Sequence, residues 1–255
     1  MGIGQRRVNQ LIQPVQIVAD QRSPSFIFEF HYRVCAHRPN VDATLCQNIR
    51  GSARNSVAEE VPQRYNWEMQ TAVRHLLVPG GGGSGPAHWH HRWAQELPNC
   101  EWVRQVDQSG GTRSDWVEAI DVKVNELAQP AILIAHSLAC IAVAHWAASR
   151  KGPVVAALLV APADIDDDWA EPDSLYKRFQ PIALQPLLFP ATVVASTNDP
   201  LLSIKRAEEF ATAWGAHLEM IGDHLHVGSD AHLGEWPVGR TVLADLTERA
   251  SASET

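Results

Sequence analysis

The chain has 255 residues, 45% of them hydrophobic, and a formal net charge of −8, which is apolar content enough for one packed domain or two. An acidic balance excludes the clustered Lys and Arg that sequence-independent nucleic-acid binding requires, and no stretch reaches the roughly 18 uninterrupted apolar residues of a membrane span. Cys35, Cys46, Cys100 and Cys140 form no C-x-x-C pair, so the common zinc and thiol-redox motifs are absent and a reduced, cytoplasmic protein is expected.

Composition changes near Met69. Before it stand 8 Lys/Arg against 6 Asp/Glu; after it stand 13 against 23, with eight of the nine tryptophans. Within residues 1–68 the apolar runs from Leu11 to Ala19 and from Phe26 to Val34 are broken by polar residues and proline before an element can be argued. This segment reads as an N-terminal extension, either poorly ordered or the product of a start codon assigned too early, with a short interaction tail as the rival reading. It lacks the apolar core and cleavage site of a secretory signal. Residues 69–255 are then the folded domain.

From residue 74 onward strand-like and helix-like segments alternate. Strands are expected near 74–78, 101–106, 131–135, 154–160, 191–196 and 217–221, and helices over about 88–97, 115–127, 138–150, 203–214 and 239–250. That βαβ rhythm predicts an α/β fold, a mostly parallel sheet with helices on both faces. Asp115 with Glu118 is the expected cap of the second helix and Ser203 that of the fourth. Trp89 and Trp93, four apart, share a helix face expected to pack on the sheet. The Asp- and Pro-rich segment 162–190 is a candidate substrate rim. Its Asp164, Asp166, Asp167 and Asp168 lack the spacing of a calcium loop and read as solvated.

The chemistry starts at Ala135-His136-Ser137-Leu138-Ala139-Cys140, which joins an apolar strand to a helix. A nucleophilic serine on such an elbow needs small residues two before and two after it, and both are alanine here. An acid and then a histidine should follow, each after a later strand. Asp199 lies in the turn after 191–196, and His226 in the polar loop after 217–221, where His224 competes with it. A serine hydroxyl is a weak nucleophile, so His226 would take its proton and return it to the leaving group, while Asp199 fixes the imidazole tautomer. The developing oxyanion needs backbone donors, one from Leu138 and one from the glycine loop Pro79 to Gly85, with Gly81 the best single candidate. A phosphate-binding loop is disfavoured because no Gly-Lys-Ser/Thr follows. His88, His90 and His91 lack the i, i+4 pair and glutamate of a zinc hydrolase. No metal and no other cofactor is expected.

Taken together these residues resemble the retinoblastoma-binding-protein-like serine hydrolases, small single-domain α/β-hydrolases. The resemblance rests on Leu77-Val78-Pro79-Gly80 with Ser84-Gly85 and His88-Trp89, on Ala135 to Leu138 with Cys140, and on Val193 to Ser196 with Asn198-Asp199-Pro200. It continues through Arg206-Ala207-Glu208, Ala213 to Ala216, His226 and Leu233 to Pro237. It implies the α/β-hydrolase fold and the triad Ser137, Asp199 and His226, with His226 preferred over His224. It also implies a small ester or amide as substrate. Gly81 stands where that family commonly has an aromatic residue, and Ala139 where it has glycine. The rival functional reading is a non-catalytic interaction module on the same fold, with a protein partner of unstated identity.

Overall fold

The computed structural model describes residues 73–252 except 105, 106, 108, 127 and 128. The extension proposed for residues 1–68 lies outside the described residues.

Six strands form one parallel sheet: β1 (Arg74–Val78), β2 (Cys100–Trp102), β3 (Ala131–His136), β4 (Val154–Val160), β5 (Ala191–Ala195) and β6 (His217–Met220), in the spatial order β2-β1-β3-β4-β5-β6. Five helices connect or follow them: α1 (Trp89–Glu96), α2 (Arg113–Asn125), α3 (Leu138–Ser149), α4 (Ile204–Trp214) and α5 (Pro237–Ala252). The expected α/β architecture is therefore present, with the order of strands reversing direction between β1 and β3. In open parallel sheets such a reversal opens a crevice at the carboxyl ends of the strands.

Alternation of side chains along each strand divides the core in two. Leu76, Leu133, Leu159 and Val193 pack with α2, α3 and α4 through Trp116, Ile120, Cys140, Trp146, Phe210 and Trp214. Leu77, Ile132, Ile134, Leu158 and Val194 face the other way, against Trp89 and Trp93 of α1 and Val242, Leu243 and Leu246 of α5. Both tryptophans of α1 are buried and spend their indole N–H groups on backbone carbonyls, Trp89 on Val227 at 2.9 Å and Trp93 on Glu235 at 3.2 Å. Trp236 stacks on Trp93 and is 3% exposed, so it too is a packing residue.

The local signals differ from expectation in three places. The cap of α2 is Thr112, whose hydroxyl accepts from the Asp115 N–H while the Asp115 carboxylate accepts from the Thr112 N–H. Asp115 is thus the reciprocal member of a capping box, and Glu118 instead pairs with Arg150. The second strand, expected over 101–106, is the three-residue edge strand Cys100–Trp102, and residues 105 and 106 lie outside the described residues. Finally, Asp164 is buried, its carboxylate held by both arms of the Arg206 guanidinium at 2.8 and 3.0 Å, whereas Asp166, Asp167 and Asp168 are exposed. A charge is retained inside only when paired in this way. The Ser203 cap of α4 is present, and Gly215 ends that helix at φ 67°, the left-handed turn glycine adopts without penalty.

Candidate active site

The carboxyl end of β3 runs straight into α3, and Ser137 is the single residue between them, at φ 58° and ψ −127°. A non-glycine residue in this region carries strain of about 1–3 kcal/mol, tolerated only where the surroundings enforce it. Here the enforcement is visible. The Ser137 N–H donates to the Val160 carbonyl on β4 at 3.0 Å, and the Ser137 carbonyl accepts from Cys140 N–H at 3.0 Å. The α3 helix behind it is buried along most of its length, so the elbow has no freedom to relax. Cys140 faces the core, and burial pushes its thiol pKa well above the ordinary value.

Ser137, Asp199 and His226 come together although 62 and 89 residues separate the serine from the other two. His226 Nε2 lies 2.8 Å from Ser137 Oγ, and Nδ1 lies 2.8 and 2.9 Å from the two Asp199 oxygens. A carboxylate can only accept, so Nδ1 carries the proton and Nε2 accepts from the serine hydroxyl. The Asp199 side chain is fully shielded from solvent and also accepts from Leu201 N–H at 2.8 Å. Ser137 is 4% exposed.

The loop carrying His226 is fixed on several sides. Ser196 Oγ accepts from His224 N–H, Asn198 Oδ1 accepts from Leu225 N–H, and Thr197 Oγ1 donates to Asp223 Oδ1. His224 is therefore engaged through its backbone, while the imidazole of its neighbour two residues on reaches the serine. On the opposite side His136 Nε2 donates to the His226 carbonyl at 2.9 Å. His136 belongs to a buried cluster with His88 and His90, whose ring centroids lie 4.7 and 6.3 Å from its own. Burial lowers the pKa of all three, that of His88 to about 4, so they are neutral at pH 7. Among the described residues no group of three or more His, Cys, Asp or Glu is arranged to hold a metal.

The glycine loop after β1 closes the site. A Cβ on Gly80 would stand 2.8 Å from the His136 carbonyl and 2.9 Å from Ser137 Cβ, so only glycine lets the loop approach the serine this closely. Gly81 follows, and among the described residues its N–H has no backbone acceptor. Leu138 is the first residue of α3, where the N–H has no intrahelical acceptor by construction. The two backbone donors expected from the sequence, one at the start of α3 and one in the glycine loop, are thus both uncommitted beside Ser137. Neither the steric role of Gly80 within its loop nor the His136 bond to the His226 carbonyl is legible in the sequence. The first was hidden in a run of equivalent glycines, and the second is a contact between residues 90 positions apart.

A serine at a strand-to-helix elbow, facing a histidine and a carboxylate across the carboxyl ends of a parallel sheet, places the molecule among the α/β-hydrolases. The chain belongs to the serine hydrolase family, whose sequence pattern matches residues 75–245. It is similar to a YdeN-like hydrolase from Pectobacterium atrosepticum, with 32% identity and a TM-score of 0.63 over 75% of this chain and 98% of that one. Its fold is also that of the ydeN gene product of Bacillus subtilis, at 16% identity and TM-score 0.51 over 69% and 98% of the two chains. The same holds for BpoC of Mycobacterium tuberculosis, described as a non-heme bromoperoxidase, at 15% identity and TM-score 0.52 over 69% and 92%. No curated protein matches the chain. Among the described residues no helix is long and apolar enough to cross a membrane.

Proposed function

We propose that the protein is a carboxylesterase-like serine hydrolase of the retinoblastoma-binding-protein-like branch, cleaving small ester or amide substrates through an acyl-serine intermediate. The observation that carries this reading is the continuous relay from Ser137 Oγ through His226 to Asp199, each link at 2.8–2.9 Å. His226 Nε2 takes the hydroxyl proton as Ser137 attacks the carbonyl carbon, and Asp199 stabilises the imidazolium that results. The proton then passes to the leaving alcohol or amine. Water enters, gives a proton to His226 and attacks the acyl carbon; the bond to Ser137 Oγ then breaks, His226 returns the proton to that oxygen, and the acyl group leaves as a carboxylic acid. The N–H groups of Leu138 and Gly81 hold the oxyanion in both tetrahedral states. No cofactor takes part in these steps.

The test is labelling of the purified protein with a fluorophosphonate probe, followed by mapping of the modified peptide. Label confined to Ser137, and lost in a folded Ser137→Ala variant, is the expected result. A folded wild type that takes no label would overturn the proposal and favour a non-catalytic interaction module.

A further inference from the structure

The side-chain position that Gly81 leaves empty is filled from elsewhere in the chain. A Cβ on Gly81 would lie 2.9 Å from Tyr176 Oη, 3.2 Å from Tyr176 Cζ and 3.6 Å from Leu175 Cδ2. Tyr176 opens a short 3-10 turn, Tyr176–Phe179, in the segment between β4 and β5. The side-chain direction of Gly80 points at Ser137 and that of Gly81 at Tyr176, so two consecutive residues span from the elbow serine to this phenol.

Among the described residues the Tyr176 hydroxyl has no hydrogen-bond partner, and the residue is only half-buried. Burial raises its pKa, so it is a neutral donor at pH 7. The ring is nevertheless held in place. Trp169 packs edge-on against it at 4.9 Å and is itself anchored by its indole N–H on the Asp164 carbonyl at 2.7 Å. The next residue, Lys177, donates to the carbonyls of Ile165 and Asp167, and Gln180 donates to that of Ile165. A fixed hydroxyl with no protein acceptor takes its partner from whatever occupies the space beside it.

Resting on the serine hydrolase reading, we propose that Tyr176 is the residue that sets acyl specificity, selecting short acyl groups that carry an oxygen acceptor. The leaving group departs on the side of His226, which must protonate it. The Tyr176 hydroxyl instead stands beside Gly81 of the oxyanion loop, and so borders the space for the acyl portion. Its ring blocks a long chain. Its hydroxyl, once desolvated, favours an ether, hydroxyl or carbonyl oxygen over a methylene, because a site built to hydrogen-bond rejects the analogue that lacks the partner.

The experiment compares kcat/KM for p-nitrophenyl methoxyacetate, butyrate and octanoate in wild type, Tyr176→Phe and Tyr176→Ala, with fluorophosphonate labelling of each protein. Methoxyacetate is butyrate with one methylene replaced by oxygen, and intrinsic reactivity cancels between variants. Tyr176→Phe, which keeps the ring against Trp169, should lower the methoxyacetate-to-butyrate ratio about fivefold, the worth of one neutral hydrogen bond. Tyr176→Ala should raise octanoate relative to butyrate by a similar factor. Unchanged ratios in both variants, with Ser137 labelled in wild type, would overturn the Tyr176 assignment alone. A wild type unlabelled at Ser137 would overturn it together with the hydrolase reading beneath it.

Discussion

The imidazole of His136 donates to the backbone carbonyl of His226 at 2.9 Å, so the residue immediately before the elbow serine holds the loop that carries its partner histidine. Replacing His136 by alanine removes the donor and strands the carbonyl. We expect kcat to fall about tenfold, from a loss on the order of 1–2 kcal/mol, with little change in KM. His136→Gln keeps an N–H donor and should recover part of that loss. Steady-state kinetics on a short-chain ester decide the matter, and an unchanged kcat in the alanine variant would show that the loop is held without this bond.

Acid should destabilise the fold through the buried histidines. The His88 pKa falls from the ordinary 6.5 to about 4, chiefly because burial penalises its charged form. Below pH 6.5 the unfolded chain therefore binds a proton that the folded one refuses, and stability decreases as pH falls toward 4. The shift corresponds to about 3 kcal/mol for His88 alone. His90 and His136 act in the same direction. Urea unfolding between pH 7 and pH 4.5 should show this slope, and His88→Asn should reduce it while preserving a capping side chain at the start of α1. Equal slopes in the two proteins would contradict the assignment.

Gly80 and Gly81 should respond differently to the same added methyl group. At Gly80 the nearest atoms are a backbone carbonyl and Ser137 Cβ, neither able to move aside, so Gly80→Ala should lose both activity and about 1–3 kcal/mol of stability. At Gly81 the obstruction is the tip of Tyr176. Gly81→Ala should cost less, and part of that cost should vanish in combination with Tyr176→Phe. A double-mutant cycle from chemical denaturation is the check, with a coupling on the order of 1 kcal/mol expected for residues in contact.

Asp164 is a further point of dependence. Its carboxylate meets the Arg206 guanidinium through two hydrogen bonds, and its carbonyl accepts from Trp169. Asp164→Ala leaves Arg206 without its buried partner and should destabilise the protein by about 2–4 kcal/mol, less than for a fully buried pair because Arg206 is partly solvated. Melting by circular dichroism would reveal it, and a shift no larger than that of an exposed Asp168→Ala control would refute it.

What the sequence disclosed and what it concealed divide along physical lines. The strands β3, β4 and β5 are short apolar runs, and such runs need no partner to be recognised. Ser137, Asp199 and His226 could be ordered along the chain because each follows a strand. The β2 edge strand is three half-buried residues with a charged one at its centre, so it has no apolar run to mark its bounds. Asp164 looked like its exposed neighbours because the arginine that buries it lies 42 residues away. Tyr176 lies within the segment 162–190 that reads as a candidate substrate rim, but nothing local singles it out, since its approach to Gly81 exists only after β1 and the turn following β4 have been brought together.

The strained backbone at Ser137 sets function against stability at a single residue. Glycine would adopt φ 58° and ψ −127° without penalty, so a search that rewards only thermal resistance would be drawn to replace the nucleophile proposed here. Ranking every substitution by stability should therefore mark this position as a place where the resident amino acid is a poor choice for the fold, retained for another reason.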